Sequence, residues 1–193
     1  WVFGGIAIAS FPVSLTLGRL KGDLCMRIFL TLASVCLLSG CMKPEQEFWG
    51  RVSDLCTNAY TGKMITDDPQ DAAFKDAQLA VSFDECSKNR IDMFLVKDGE
   101  PYAKWVLTKS KDGLELRHIH KQGLTGYGRY SVPNSSGSRI NFPADNLSKK
   151  LFDEAQIAAS KQNVWALTAR AGSVFTYELS RPGREVIFAF ETT

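Results

Sequence analysis

Both histidines of the chain, His118 and His120, fall in one stretch, Leu114-Glu115-Leu116-Arg117-His118-Ile119-His120. Alternate residues of a strand share a face, so an extended stretch sets the two imidazoles side by side, in line with Leu114 and Leu116. Ring nitrogens at that spacing can share a metal ion, or one can act as a general base near neutral pH. Zinc usually takes three or four protein ligands, and no carboxylate or thiol accompanies this pair at a recognisable ligand spacing. The sequence therefore names no metal ligand, no cofactor and no catalytic residue. His118 and His120 stand as candidate ligand contacts aimed at a barrel mouth, with solvated or hydrogen-bonded structural histidines as the plain alternative.

Tyr127 and Tyr130 lie among Gly126 and Gly128. Such glycines either let a ligand approach the backbone or permit a bulge in a strand, and the bulge is the simpler reading. Tyr127 and Trp105 join the histidines as candidate ligand contacts, although Trp49, Trp105 and Trp165 equally suit helix packing and a core. Phosphate binding and acyl transfer lack support. The chain has no Walker A pattern, no strand-to-helix Gly-x-Gly-x-x-Gly and no Gly-x-Ser-x-Gly elbow.

The most specific signal lies earlier. Arg27, after Met26, precedes an apolar run from Ile28 that ends in Leu38-Ser39-Gly40-Cys41. This run is too short for a bilayer span of roughly 20 apolar residues, and it has the basic start, apolar core and small residues of a signal peptide. It resembles the lipobox of bacterial lipoproteins. The resemblance implies that residues 26–40 are removed and that Cys41 becomes an acylated N-terminus, anchored in the membrane by its chains. It also implies that Met42, standing where Asp would retain the protein, permits export to the outer membrane, facing the periplasm. An ordinary secretory signal ending at a cysteine is the alternative. Residues 1–25, which open on Trp1 and precede the first methionine, are expected to be an over-called or upstream segment. A genuine N-terminal anchor there would leave the signal behind it without a task.

Without residues 1–40 the chain loses Arg19, Lys21, Arg27 and Asp23, and its formal charge falls from +2 to zero. A balanced surface gives no electrostatic reason to expect a nucleic acid partner. Residues 41–193 suit one β-rich domain with one core. Of the five cysteines, Cys25 and Cys36 leave with the signal and Cys41 takes lipid. Cys56 and Cys86 remain, and an even pair in an oxidising compartment predicts a disulfide. Two buried thiols are the alternative; a redox site is disfavoured because no Cys-x-x-Cys is present.

The elements that must position these residues are mostly strands. Phe48, Val52, Leu55, Cys56 and Ala59 form one helical apolar stripe behind Pro44, with Cys56 on the buried face. After Gly62 the period changes to two, with Leu79, Val81 and Phe83, then Ile91, Met93 and Leu95. Ala103, Trp105 and Leu107 follow within Tyr102 to Lys109, and then Leu114 to His120. Turns are signalled at Lys97-Asp98-Gly99-Glu100, at Lys111-Asp112-Gly113 and at Arg181-Pro182-Gly183-Arg184, the last joining Val174–Ser180 to Glu185–Glu191. Gly62 to Thr66, Gly126 to Val132, Ser138 to Phe142 and Val164 to Arg170 complete the strands. Asn134 to Ser138 reads as a surface loop, and Leu147, Leu151 and Phe152 mark a short helix near 144–153. The expected fold class is mainly β, an antiparallel lipocalin-like or calycin-like barrel of about 8–10 strands, because closure removes exposed edges.

From residue 48 to 190 the chain also resembles a family of bacterial secreted or lipid-anchored proteins with no assigned activity. The resemblance rests on Phe48-Trp49 with Leu55-Cys56, Glu85-Cys86, Trp105-Val106-Leu107-Thr108, Leu116-Arg117-His118-Ile119-His120, Asn163-Val164-Trp165-Ala166-Leu167 and Tyr177-Glu178-Leu179 ahead of Arg181-Pro182-Gly183-Arg184. It implies one secreted domain with a cysteine pair and carries over no catalytic residue. A true lipocalin fits less well, because Trp49 precedes Gly50 where Gly-x-Trp is wanted. The function expected is a lipid-anchored envelope module for a small apolar ligand or an envelope protein partner. The alternatives are a structural or inhibitory lipoprotein acting through its surface and, third, a metal-dependent or histidine-based enzyme at His118 and His120.

Overall fold

In the computed structural model the described residues are 43–120, 125, 126, 128–170, 172 and 174–191. They belong to one compact unit. The lipobox, Cys41, residues 1–25 and Tyr127 lie outside them.

Helix α1 (Pro44–Ser53) starts on a proline, whose missing N–H is harmless in a first turn, and carries Glu45 and Glu47 at the positive end of its dipole. Phe48, Trp49 and Val52 are its buried residues. The helix stops sooner than the apolar spacing predicts. Thr57 takes a positive φ of 65°, and Ala59 already opens the first strand, so Leu55, Cys56 and Ala59 do not continue a helical face. The Cys56–Cys86 disulfide forms, with Cα atoms 6.1 Å apart. It ties the turn after α1, rather than α1 itself, to the end of a strand.

The strands are β1 (Ala59–Met64), β2 (Leu79–Cys86), β3 (Arg90–Lys97), β4 (Glu100–Ser110), β5 (Gly113–His120), β6 (Thr125–Gly126), β7 (Ser131–Ser136), β8 (Arg139–Pro143), β9 (Val164–Arg170), β10 (Val174–Arg181) and β11 (Arg184–Glu191). They form one curled antiparallel sheet in the order β6-β5-β4-β3-β2-β1-β11-β10-β9-β8-β7. The class is mainly β, as the alternation predicts. Helix α2 (Asn146–Glu154) lies between β8 and β9, where the short helix was expected.

Among the described residues eleven strands stand in the sheet, more than the alternation suggests, because the strand expected at Gly126 to Val132 divides. Its first part pairs with β5 and its second with β8. Between them the chain still follows β5: the Leu116 N–H donates to the Gly128 carbonyl at 3.4 Å and the Tyr130 N–H to the Leu114 carbonyl at 2.8 Å. The chain thus changes partners at Tyr130 and Ser131, passing from one edge of the sheet to the other. Gly128 permits this crossing, since a Cβ there would stand 1.5 Å from the Pro143 carbonyl oxygen. It is the protein's own backbone that approaches this glycine.

The loop expected at Asn134 to Ser138 is strand as far as Ser136. Asn134 has a positive φ of 62°, and the pairing register shifts between Ser131 and Ser136. The Asn141 side-chain amide donates to the Asn134 carbonyl at 2.7 Å, and Ser135 Oγ accepts from the Asn141 N–H at 3.2 Å. Polar side chains therefore hold an irregular strand where composition alone suggests a loop.

The disulfide spans 30 residues, so replacing both cysteines (Cys56→Ser with Cys86→Ser) should cost about 3 kcal/mol on the chain-entropy account. Urea unfolding measures this as a lower midpoint, and a midpoint equal to that of the oxidised protein would refute it.

Candidate functional site

The two ends of the curled sheet differ. At one end α1 packs on β7, β8 and β9, and the Lys109 ammonium lies 4.5 Å from the Trp49 ring centroid. At the other end, reached by the first half of β4 and the start of β9, a cavity of about 320 Å³ opens. Phe74, Tyr102, Trp105, Trp165, Tyr177 and Phe188 supply its aromatic walls. Asp71, His118, Asn163 and Arg184 are its principal polar members.

The strand period puts Trp105 and His118 in this wall. They are directly opposed partners in the β4–β5 pairing, with ring centroids 6.4 Å apart. Trp105 is 1% exposed and stacks on Tyr177 at 4.1 Å with 15° between the planes. Its indole Nε1 is buried and meets no acceptor among the described residues. His118 is half-buried.

The segment after β1 forms part of the mouth. It holds a 3₁₀ turn, Pro69–Phe74, whose preceding residue Asp68 accepts the Gln70 N–H at 2.9 Å. Phe74 drops edge-on against Tyr102 at 5.1 Å and Phe188 at 5.2 Å. Arg184, at the start of β11, fastens the turn from the other side. Its guanidinium donates to both Asp71 carboxylate oxygens at 2.8 Å and to Asp68 at 3.1 Å.

Helix α2 is fastened by charge as well. Asp145 caps its N-terminus by accepting the Ser148 N–H at 2.8 Å, and Arg117 on β5 donates to the other carboxylate oxygen at 2.8 Å. Arg117 also donates to Glu115 at 2.6 Å. Burial pushes the Asp145 carboxyl up, but the Arg117 guanidinium and the Ser148 hydrogen bonds outweigh it and hold it below the usual carboxylate value. For Arg117, burial acts downward and is outweighed by Asp145 and Glu115. This anchoring brings Phe152 to the cavity and against Gly126, where a Cβ would stand 2.6 Å from its ring.

Of the residues singled out by sequence, Trp105 and His118 meet at the cavity. His120 lies opposite Ala103 by register, and its side chain is outside the described residues, as is Tyr127. Cys56 and Cys86 join at the α1 end, away from the cavity. Phe74 and Asp71 have no place in the sequence expectation, and Arg184 enters it only as a turn residue. The pair Asp68-Pro69, a capping residue followed by proline, is the one signal that could have revealed the turn carrying Asp71 and Phe74. Among the described residues no group of three His, Cys, Asp or Glu side chains could hold a metal ion. No helix among them is long and apolar enough to cross a membrane. Set against known protein families and curated proteins, the chain matches none.

The Arg117–Asp145 contact fixes a pH dependence. A carboxyl whose folded pKa is lowered adds stability above its unfolded value, here 3.8, and that stability is lost as pH falls through the folded value. Asn keeps the cap but not the charge. Asp145→Asn should therefore be less stable than wild type by about 1 kcal/mol at pH 7. The gap between their urea midpoints should hold down to about pH 5 and shrink below about pH 4; a gap that widens in acid would contradict the assignment.

Proposed function

We propose that this protein is a lipid-anchored binding module of the bacterial envelope, a lipocalin-like barrel whose open end takes up a small apolar ligand. The observation that carries this reading is the cavity. Aromatic walls with a few convergent polar groups, in a volume of about 320 Å³, are the usual character of a small-molecule site. At about 30 Å³ per water molecule, the space is that of roughly ten waters. The passage of the chain from the β5 edge to the β8 edge at Tyr130 and Ser131 supports a barrel over an open sheet.

The resemblance of Leu38-Ser39-Gly40-Cys41 to a lipobox supports acyl chains on Cys41. Only Met42 separates Cys41 from Lys43, which precedes α1. An acyl anchor there would tether the protein by its helix-plugged end and leave the mouth facing the periplasm from the outer membrane. The disulfide accords with that oxidising compartment.

A second reading, action through the surface on an envelope protein, is favoured by four exposed apolar side chains on segments bordering the mouth. These are Ile65, Ile119, Leu147 and Ile157. Exposed apolar surface of this kind marks interaction sites when it is contiguous.

Two measurements test the leading reading. Nile red, a neutral apolar dye, should brighten on binding the folded protein, and Ala103→Trp, which fills the cavity, should weaken that binding at least tenfold. Absence of dye binding, or binding indifferent to the substitution, would reject the cavity as the site. In cells fed an alkyne analogue of palmitate, the wild type should be labelled and fractionate with the outer membrane, and Cys41→Ala should not be labelled. An unlabelled wild type would remove the anchor.

A further inference from the structure

One part of the mouth is attached differently from the rest. Between β1 and β2 the chain leaves the sheet for residues 65–78, and hydrogen bonds fix both of its feet. At the first foot the Ile65 N–H donates to the Ile187 carbonyl at 2.9 Å, and Thr66 Oγ1 accepts the Ile187 N–H at 3.1 Å. At the second, beside the turn between β3 and β4, the Gln78 N–H donates to the Asp98 carboxylate at 2.9 Å and the Asp98 N–H to the Gln78 carbonyl at 2.8 Å.

Between the feet the segment bonds largely to itself. The Asp71 N–H donates to the Asp68 carbonyl at 2.9 Å, the Lys75 N–H to the Ala72 carbonyl at 3.2 Å and the Ala77 N–H to the Phe74 carbonyl at 3.3 Å. Lys75 also pairs with Asp67 at 3.1 Å. No residue of Pro69–Phe74 is buried. The middle of the segment meets the sheet through side chains at two points. Phe74 rests edge-on against Tyr102 and Phe188, and Arg184 spans Asp68 and Asp71. Asp71, Phe74, Tyr102, Arg184 and Phe188 all line the cavity, so both attachments sit on its rim. A segment fixed at its ends, with little buried between them, belongs to the part of a fold that opens most readily.

We propose that residues 66–77 form a lid on the cavity, latched by Arg184 to Asp68 and Asp71 and sealed by Phe74, and that its opening sets the rate at which an apolar ligand enters and leaves. This rests on the reading of the cavity as a ligand site and names what controls passage into it. Opening breaks the hydrogen bonds of one guanidinium and lifts one ring, while both feet stay bonded to the body. An apolar ligand carries no charge to compete for Arg184, so the latch can close over it unchanged. Loop motions of this kind gate many enclosed sites.

Stopped-flow mixing with Nile red tests this on the full chain, beside hydrogen exchange read by mass spectrometry. Arg184→Gln removes the charge of the latch and should let the dye dissociate about tenfold faster, the change expected for losing one charge-assisted attachment. Added salt should speed dissociation from the wild type and leave that variant indifferent. Exchange in the variant should rise within residues 66–77 and stay unchanged in the β1–β11 pairing. Should Arg184→Gln fail to fold, Asp68→Asn with Asp71→Asn releases the same latch from the lid side, and Asn keeps the cap on the turn. Equal dissociation rates with the dye still bound would overturn the lid and leave a permanently open ligand site. Exchange rising through the β1–β11 pairing would overturn it as well, because Arg184 would then be a support of the sheet. If Nile red does not bind at all, the ligand-site reading falls and the lid with it.

Discussion

The pairing of β1 with β11 holds the two halves of the molecule together. Every other pairing among the described strands joins neighbours along the chain, so β1 to β6 and β7 to β11 each form a local meander. Among the described residues Gly62 opposite Phe190, Lys63 opposite Ala189 and Met64 opposite Phe188, with the Ile65 N–H donating to the Ile187 carbonyl at 2.9 Å, bring the meanders into one sheet. The register of this seam is narrow. A Cβ on Gly62 would stand 2.3 Å from the Ala189 carbonyl oxygen and 2.4 Å from the Phe190 ring, so a slip placing Thr61 or Lys63 there meets a steric wall. Since a one-residue slip would also turn Phe188 and Phe190 outward, the glycine and the hydrophobic pattern enforce one another. Toward the mouth the seam continues through side chains: Thr66 Oγ1 accepts the Ile187 N–H at 3.1 Å, and Arg184 reaches Asp68 and Asp71.

With the seam in place, residue size decides which end is full. Toward α1, Phe83 packs edge-on to Phe175 at 5.2 Å, Phe175 lies 6.2 Å from Phe190, and Phe48 is completely buried. Toward the mouth, Ala103 and Gly126 occupy inward positions, and Trp105 and Tyr177 lie flat against each other. Small residues and stacked rings leave space where crossed rings would fill it. The outer face is held by charge. Burial pushes the Asp92 carboxyl up, but hydrogen bonds from Arg90 at 2.8 Å and Lys104 at 2.6 Å prevail, so it stays ionised below the usual range. Glu178 follows the same pattern, with burial outweighed by Arg139 and Thr176.

Sequence reveals what is local and conceals what is not. Strands β2 to β5 and β9 to β11 are readable because apolar residues alternate between Asp-Gly and Pro-Gly turns, each a short-range signal with a mechanical cause. The same alternation places Trp105 and His118 on one face. The end of α1 is misread because Leu55, Cys56 and Ala59 happen to keep helical spacing, while the backbone is governed by the disulfide and by the pairing of β1. Asn134 and Ser135 look like loop residues, and only the distant Asn141 makes them strand. The cavity depends most on what sequence hides: Phe74 comes from an aperiodic turn, and Arg184 gains its role from carboxylates more than a hundred residues away.

The seam also bears on how the chain survives its own synthesis. Emerging from the N-terminus, β1 can pair on one side with β2 at once, but its other edge stays open until β11 has been made. Open edges invite pairing with other chains, and slow long-range closure prolongs the danger. The sequence of β1, Ala59-Tyr60-Thr61-Gly62-Lys63-Met64, is six residues long and exposes every second one, Lys63 among them. A short strand interrupted by glycine and bearing an outward lysine is a poor template for aggregation. Gly62 thereby guards the waiting edge as well as setting the register of the finished one.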